Sequence, residues 1–439
     1  MDILNEATNW FKTSITLKLL MIGFLILILL IPANMIQSLI SERGERRKEV
    51  VNEVTYKWGN PFELTGPVLT VPYKVYAEQN GKMNEFTEYA HFLPDGLTIT
   101  GNIDPITRKR SIYKVILYNA GLNVKGTFKK PDFAGLNINE QNVLWNDASI
   151  TIGIPDMRGI KKNVEIKWNN ENSVADPGVM YKQLVQSGLH SKVKIDSITQ
   201  KYDFSFNLDV NGSESVRFIP LGKETSVALT SKWTSPSYNG AFLPTRYTLD
   251  KTGFTAKWNI LYLNRNYPQQ WTDSDHHDLS ESSFGVDLLL PVDHYQKSTR
   301  SAKYAVMFLF LTFLLFFIYE LISKSRIHPV QYLLIGLALI IFYTLLVSLS
   351  EYLGFNLAYL IASLAIITLL STFANSAIKK RNSGLIFGAF LALLYGFLFV
   401  LLQLEDYALL MGSIGLFIII ATALFGSRKI DWYSPLTTT

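Results

Sequence analysis

The polar run TDSDHHDLSE contains residue types that bind metal ions. Imidazole and carboxylate groups are ligands for zinc and manganese, and Asp275, His276 and His277 follow one another there. In an extended chain, adjacent side chains project to opposite sides, and the flanking serines and aspartates are typical of a solvated loop. We favour the loop, keep Asp275, His276 and His277 as candidate metal ligands, and expect no bound metal or cofactor.

No complete catalytic motif accompanies this cluster. The sequence lacks a phosphate-binding P-loop and an H-E-x-x-H zinc motif, and its 439 residues include no cysteine, which excludes a thiol nucleophile and thiolate-held clusters. We therefore predict no catalytic residue. A net charge of +5 is too dilute over this length to indicate a nucleic-acid surface.

Six long uncharged stretches predict transmembrane helices. A hydrocarbon core of about 30 Å requires about 20 apolar residues in a helix, and the first stretch, 19–41, supplies 23. After about 260 residues without a comparable stretch, five more follow, at 304–319, 329–350, 352–378, 382–404 and 407–427. The stretch 304–319 has only 16 residues, and it extends to Ser323 if Glu320 reaches the membrane interface.

The distribution of basic residues predicts the orientation. Short connections on the side of the N-terminus carry nine Lys and Arg residues, and those on the opposite side carry none. By the positive-inside rule, both termini lie in the cytoplasm and residues 42–300 lie outside it. The nine are Lys12, Lys18, Lys324, Arg326, Lys379, Lys380, Arg381, Arg428 and Lys429.

The outward segment 42–300 has the pattern of β-strands. Apolar and polar residues alternate strictly over 202–210 and again over 254–262, which is typical of half-buried strands. Asn211-Gly212 predicts a hairpin turn. About a dozen short strands indicate an antiparallel sandwich, single or double. We expect a helix only over 178–190, and a continuation of the first helix to about Tyr56.

Two turn segments supply candidate contact residues. Arg158 and Gly159 lie in the sequence Asp-Met-Arg-Gly, and Phe242 and Pro244 lie in Gly-Ala-Phe-Leu-Pro. Loops often carry binding residues, although Gly and Pro also simply shape turns. We keep Arg158, Gly159, Phe242 and Pro244 as interaction candidates, and the turn-shaping interpretation stays open.

Several ordered blocks resemble the CreD family of bacterial inner-membrane proteins. The resemblance covers nearly the whole chain and is carried by GPVLTVPY, FLPDGLTITGNI with RSIYKVILY, WNDASITIGIPDMRGI, YNGAFLP, FGVDLLLPVDHYQKSTRSAKYA and HPVQYLLIGLALIIFYTLLVSLSEYLGFNLAY. It implies a cell-envelope integrity protein, in some bacteria controlled by a carbon-source-responsive two-component system and linked to colicin tolerance and β-lactam response. It supplies no catalytic residue.

Together these observations predict a multi-pass inner-membrane protein. Its segments are 1–41 with the cytoplasmic N-terminus and first helix, 42–300 as a periplasmic β-rich domain, 301–427 as a five-helix bundle, and 428–439 as a cytoplasmic tail. We expect a non-enzymatic envelope and stress-response factor whose β-domain contacts an envelope protein or glycan, besides membrane lipids. The alternatives are a carrier or flippase for a lipid or envelope precursor, acting through the bundle, and a hydrolase of envelope polymer.

Overall fold

The protein divides into two compact units. In a computed structural model, which describes residues 15–79, 82–182, 184–196, 198–289, 294–323, 327–377, 382–404 and 408–427, the units are Glu49–Pro291, and Met1–Lys48 with Val292–Thr439. The first is built mainly of strands and the second of helices.

The described part of the β-unit contains 17 strands. They are β1 Phe62–Gln79, β2 Lys82–Phe92, β3 Gly96–Arg110, β4 Tyr113–Lys129, β5 Ser149–Gly153, β6 Glu165–Trp168, β7 Glu171–Val174, β8 Asp176–Pro177, β9 Gly188–Lys192, β10 Lys201–Ser213, β11 Ser215–Phe218, β12 Glu224–Ser231, β13 Pro236–Gly240, β14 Arg246–Asp250, β15 Gly253–Leu261, β16 Gln270–Thr272 and β17 Phe284–Leu288.

These strands form two sheets. The nine-stranded sheet has the order β13-β17-β11-β1-β5-β9-β8, with β2 pairing both β1 and β16. The eight-stranded sheet has the order β14-β15-β12-β3-β4-β10-β6-β7. The large β-rich domain predicted from the sequence is confirmed.

A single hydrophobic core receives side chains from both sheets. Val71 and Ile150 come from the nine-stranded sheet, and Leu208, Val227 and Trp258 come from the eight-stranded sheet. The alternation predicted over 202–210 is confirmed in β10, and that over 254–260 in β15, because alternate residues of each strand are buried.

Three predictions about the β-unit are wrong. The pairing is not purely antiparallel, because β1 with β11 and β3 with β12 are parallel pairs. Asn211-Gly212 makes no hairpin turn: β10 runs through it to Ser213, and its partners there are in β4. The break comes at Glu214, whose φ is 59°. The strand count exceeds a dozen, and several strands are long.

The predicted helix over 178–190 is also wrong where the structure describes it. Its residues form turns that lead into β9. Gly188 packs so closely on β5 that an added Cβ would lie 2.0 Å from the carbonyl oxygen of Ile152. Of its apolar residues, Leu189 pairs within β9 and Leu184 packs against the core from a turn, so helical spacing alone was a misleading signal here.

Seven α-helices are described. They are α1 Ile15–Trp58, α2 His294–Lys303, α3 Ala305–Ser323, α4 Pro329–Leu353, α5 Phe355–Ala377, α6 Ser383–Gln403 and α7 Ala408–Ser427. Helix α1 has 44 residues, so it extends about 66 Å at 1.5 Å per residue. The predicted continuation of the first helix to about Tyr56 is confirmed.

Four helices are long and apolar enough to cross a membrane. They are α1, α4, α5 and α6, and the bent pair α2 and α3, with a 45° break, raises the number to five if it forms one span. Among the described residues the predicted count of six is therefore not confirmed, although four or five helices have the length and composition of membrane spans.

A buried ion pair lies in the helical unit. Lys18 of α1 pairs with Glu320 of α3, whose side chain is 1% exposed. Glu320 also accepts hydrogen bonds from the backbone of Ile327 at 3.0 Å and from the Tyr332 hydroxyl at 3.0 Å. The charge of Glu320 is therefore compensated inside the unit by Lys18, and the extension of the second uncharged stretch past Glu320 to Ser323 as a membrane span stays a prediction.

Candidate functional site

The predicted metal candidates lie beside a buried histidine that sequence reasoning missed. His91 of β2 is 2% exposed, and its Nε2 lies 2.8 Å from Oδ1 of Asp273 while its Nδ1 lies 2.9 Å from Oγ1 of Thr70. Both ring nitrogens therefore have protein partners. No signal in the sequence joins His91 to Asp273, because they are 182 residues apart.

Asp275, His276 and His277 line a small pocket together with His91 and Asp273. Its volume is about 10 Å³, which is about the space of one water molecule. Among the described residues, no three His, Asp or Glu side chains are placed to hold a metal ion. Asp275, His276 and His277 remain candidate ligands only, and the expectation of a solvated loop without a bound metal stays a prediction.

Arg158 is held by contacts within the β-unit. Its guanidinium group donates two hydrogen bonds to the carboxylate of Asp156, from Nε at 2.8 Å and from Nη2 at 2.9 Å. Its Cζ also lies 3.7 Å from the ring centroid of Tyr56. Hydrogen bonds from Arg158 lower the pKa of Asp156. The adjacent Gly159 is buried, and a Cβ there would lie 2.3 Å from the carbonyl oxygen of Asn211.

Phe242 and Pro244 lie in the second predicted contact segment. Phe242 is half-buried: its ring centroid is 6.0 Å from that of Phe284, and its carbonyl accepts from Nε1 of Trp258 at 3.2 Å. Pro244 is partly exposed, and the intervening Leu243 is 72% exposed. The structure thus gives Arg158, Gly159 and Phe242 intramolecular contacts. Their roles in binding stay predictions.

A polar groove on the eight-stranded sheet is a candidate site that the sequence did not indicate. Thr98, Lys125, Ser205 and Lys167 lie directly opposite one another on β3, β4, β10 and β6. Opposite residues on neighbouring strands project from the same face, and in β4 and β10 that face is the one opposite the buried Val124 and Phe206.

A second row deepens this groove. Thr127 lies opposite Gly96 on one side and Asp203 on the other, and Asn169 accepts a hydrogen bond from the Asp203 backbone at 2.8 Å. The glycine leaves room between the rows, and the groove has a volume of about 800 Å³. We call it the lysine groove; its lining residues are Gly96, Thr98, Lys125, Gly126, Thr127, Lys167, Asn169, Asn170, Lys201, Asp203, Phe204 and Ser205.

The lysine groove carries excess positive charge. The Nζ atom of Lys201 lies 3.5 Å from Oδ1 of Asp203, so this carboxylate compensates the charge of Lys201. Lys125 and Lys167 form no ion pair with any described residue, although both have exposed side chains in the groove. The sequence did not indicate this site because its lysines come from three separate strands and only the strand register brings them together.

Two comparisons with known proteins identify the same family. A family model described as "Inner membrane protein CreD" matches residues 14–433. The chain is 31% identical over 415 residues to "Inner membrane protein CreD" of Escherichia coli (strain K12), an alignment that covers 93% of this chain and 92% of the relative.

Proposed function

Because the chain belongs to the CreD family of inner membrane proteins, we propose that it supports the integrity of the cell envelope as a binding protein rather than as an enzyme. Its β-unit lies in the periplasm and contacts another envelope component. The observation that carries this proposal is the lysine groove, a large open site on the β-unit that has uncompensated charge.

The proposed topology has six spans. The bent pair α2 and α3 makes one span and α7 makes the last, added to α1, α4, α5 and α6. Both termini lie in the cytoplasm and residues 42–300 in the periplasm. The support is the asymmetry of nine basic residues against none in the short connections.

The chemistry of the lysine groove favours an anionic glycan as the partner. Lys125 and Lys167 flank the hydroxyl of Ser205, and the amides of Asn169 and Asn170 lie at one side. Ammonium groups bind carboxylate or phosphate groups as point charges, while hydroxyls and amides donate to and accept from sugar hydroxyls. A polymer with both kinds of group fits this lining better than an apolar peptide.

Photocrosslinking in living cells tests this proposal. A photoreactive amino acid replaces Ser205 at the centre of the groove, and the matched control replaces Asn259, which is exposed on β15 of the same sheet outside the groove. We expect a glycan-containing product from position 205 only. Capture of a protein instead would replace the glycan with a protein partner, and equal products from both positions would contradict a role for the groove.

A further inference from the structure

An apolar groove lies between α5 and α6 in the helical unit. Its volume is about 490 Å³ and its lining is almost entirely apolar. Leu357, Leu360 and Leu364 form one wall, each more than half exposed, while Phe399 and Gly396 belong to the other helix. A Cβ on Gly396 would meet no atom within 4 Å, so the glycine leaves the groove open.

The groove runs along the helix pair. On α5 its lining extends from residue 356 to residue 367, which is about 16 Å at 1.5 Å per residue. This is about half of a 30 Å hydrocarbon core, the thickness of one leaflet. A groove of this length and composition matches a single acyl chain.

One mouth of this groove is polar and cationic. Asn356, in the first turn of α5, accepts a hydrogen bond from Nε2 of Gln403 at 2.9 Å, and Gln403 in turn accepts from Nζ of Lys297 at 2.9 Å. Lys297 also lies 5.7 Å above the ring of Phe355. An ammonium has three donors, so Lys297 retains donors beyond the one that Gln403 receives.

Two further groups of donors, Arg300 and the start of α5, lie at this mouth. Arg300 donates to the carbonyl oxygens of Leu401 and Leu404 at 3.4 and 2.8 Å, which offsets the negative end of α6. The first turn of α5 presents backbone N–H groups there. Nearby, Glu351 accepts a hydrogen bond from the Tyr295 hydroxyl at 2.8 Å. The acidic residues 405 and 406 lie outside the described residues.

We propose that this groove binds one phospholipid, with an acyl chain between α5 and α6 and its phosphate at Lys297, Arg300 and the start of α5. An apolar slot beside cationic donors at leaflet depth has the chemistry of a glycerophospholipid and not that of a lipid without charge. The site goes beyond the proposed contact in the periplasm and does not depend on it.

The test uses the full-length protein in vesicles of phosphatidylethanolamine and phosphatidylglycerol that contain a trace of phosphatidylglycerol with a photoreactive acyl chain. We expect crosslinked peptides to concentrate on residues 356–367 and 392–399. Gly396→Leu fills the groove and should lower the yield at these positions about tenfold. Gly23→Leu is the matched control, because a Cβ on Gly23 also meets no atom within 4 Å, and it should leave the yield unchanged.

The head-group contact has its own pair of variants. Lys297→Gln should also lower the yield about tenfold, the effect of one lost charge-assisted hydrogen bond. Lys303 is an exposed residue of the same helix α2, so Lys303→Gln should leave the crosslinking yield unchanged. A diacylglycerol probe with the same chain should label the groove weakly.

Four results would overturn the proposal. They are labelling spread evenly over the exposed apolar residues of α4, an unchanged yield in Gly396→Leu, equal labelling by diacylglycerol, and replacement of lipid adducts by crosslinks to a second copy of the chain. Since none of these measurements involves the β-unit, they leave the proposed envelope contact untouched.

Discussion

Individual charged residues account for the clearest differences between sequence and structure. Glu320 sits near the end of an apolar stretch, where a charge ordinarily extends to water, but its carboxylate is buried against Lys18 and Tyr332. Lysines 125 and 167 look like ordinary solvated residues in the sequence, and only strand register places them in one groove. In both cases the informative partner is distant along the chain, so no local pattern could reveal it.

Removing the charge of Glu320 should destabilise the protein. Glu320→Gln leaves the ammonium of Lys18 buried without its carboxylate, and breaking a buried pair in this way costs about 3 kcal/mol or more. The measurement is the free energy of unfolding of the full chain in detergent. The control is Glu53→Gln, which removes one partner of the exposed pair with Lys57 and should cost under about 1 kcal/mol. An equal decrease in the free energy of unfolding in the two variants would contradict the conclusion that burial makes the Lys18–Glu320 pair the more important of the two.

The pair Asp156 and Arg158 predicts a pH dependence. The folded pKa of Asp156 is lower than its ordinary value of 3.8, so its stabilising contribution is present above that value and is lost as the pH falls through the folded pKa. Asp156→Asn should therefore lower the midpoint of thermal unfolding at neutral pH, and the difference from wild type should shrink in strong acid. The control is Asp104→Asn, exposed on β3. A pH-independent difference would be incompatible with this assignment.

Charge reversal in the lysine groove tests function at single residues. The double variant Lys125→Glu with Lys167→Glu should repel an anionic glycan and raise the sensitivity of cells to envelope-damaging agents, at an unchanged level of protein. Lys257→Glu on β15, exposed on the same sheet, should behave like wild type. If the double variant also matches wild type, the groove does not carry the envelope role.

At the scale of elements, the alternation of apolar and polar residues predicted individual strands correctly. It did not predict how the strands are connected. The strands around Phe206 and Trp258 were predictable because each buries every second residue. The turn at Asn211-Gly212 was not, because β4 continues to pair with β10 there and Gly212 packs against the ring of Tyr118. A glycine that favours a turn is thus used instead for close packing inside a long strand.

The hairpin between β3 and β4 offers a stabilising change. Its two connecting residues begin with Ser111, whose φ is 56°, a conformation that glycine adopts without strain. Ser111→Gly should raise the free energy of unfolding of the full chain by about 0.5 kcal/mol. Ser226→Gly, in the middle of β12, should lower it by a similar amount. A lower free energy of unfolding in Ser111→Gly would mean that the Ser111 hydroxyl stabilises the fold by more than its positive φ destabilises it.

At the scale of the whole molecule, the sequence predicted two kinds of structure in one chain. Uncharged stretches and alternating segments are separated along the sequence, so a β-rich unit and a helical unit could be recognised without a structure. The pairing of β1 with β11 and of β3 with β12 could not, because parallel partners more than a hundred residues apart leave no periodic signal. The lysine groove depends on that long-range assembly and was missed for the same reason.

Single cysteines test the proposed orientation directly, because the chain has no native cysteine. Thr252→Cys lies in the exposed turn between β14 and β15, and Ser325→Cys lies in a connection predicted to be cytoplasmic. We expect a membrane-impermeant maleimide to label only the first variant in intact spheroplasts, and both after lysis. Labelling of only Ser325→Cys before lysis would show that the protein has the opposite orientation in the membrane.

The ion pair between Lys18 and Glu320 also has a consequence for biosynthesis. The two residues are 302 positions apart, so at about 5–20 residues per second a ribosome needs roughly 15–60 s to make the second after the first. Throughout that interval the ammonium of Lys18 has no carboxylate from position 320, because that residue has not been translated. The buried pair can therefore form only after most of the chain has been made.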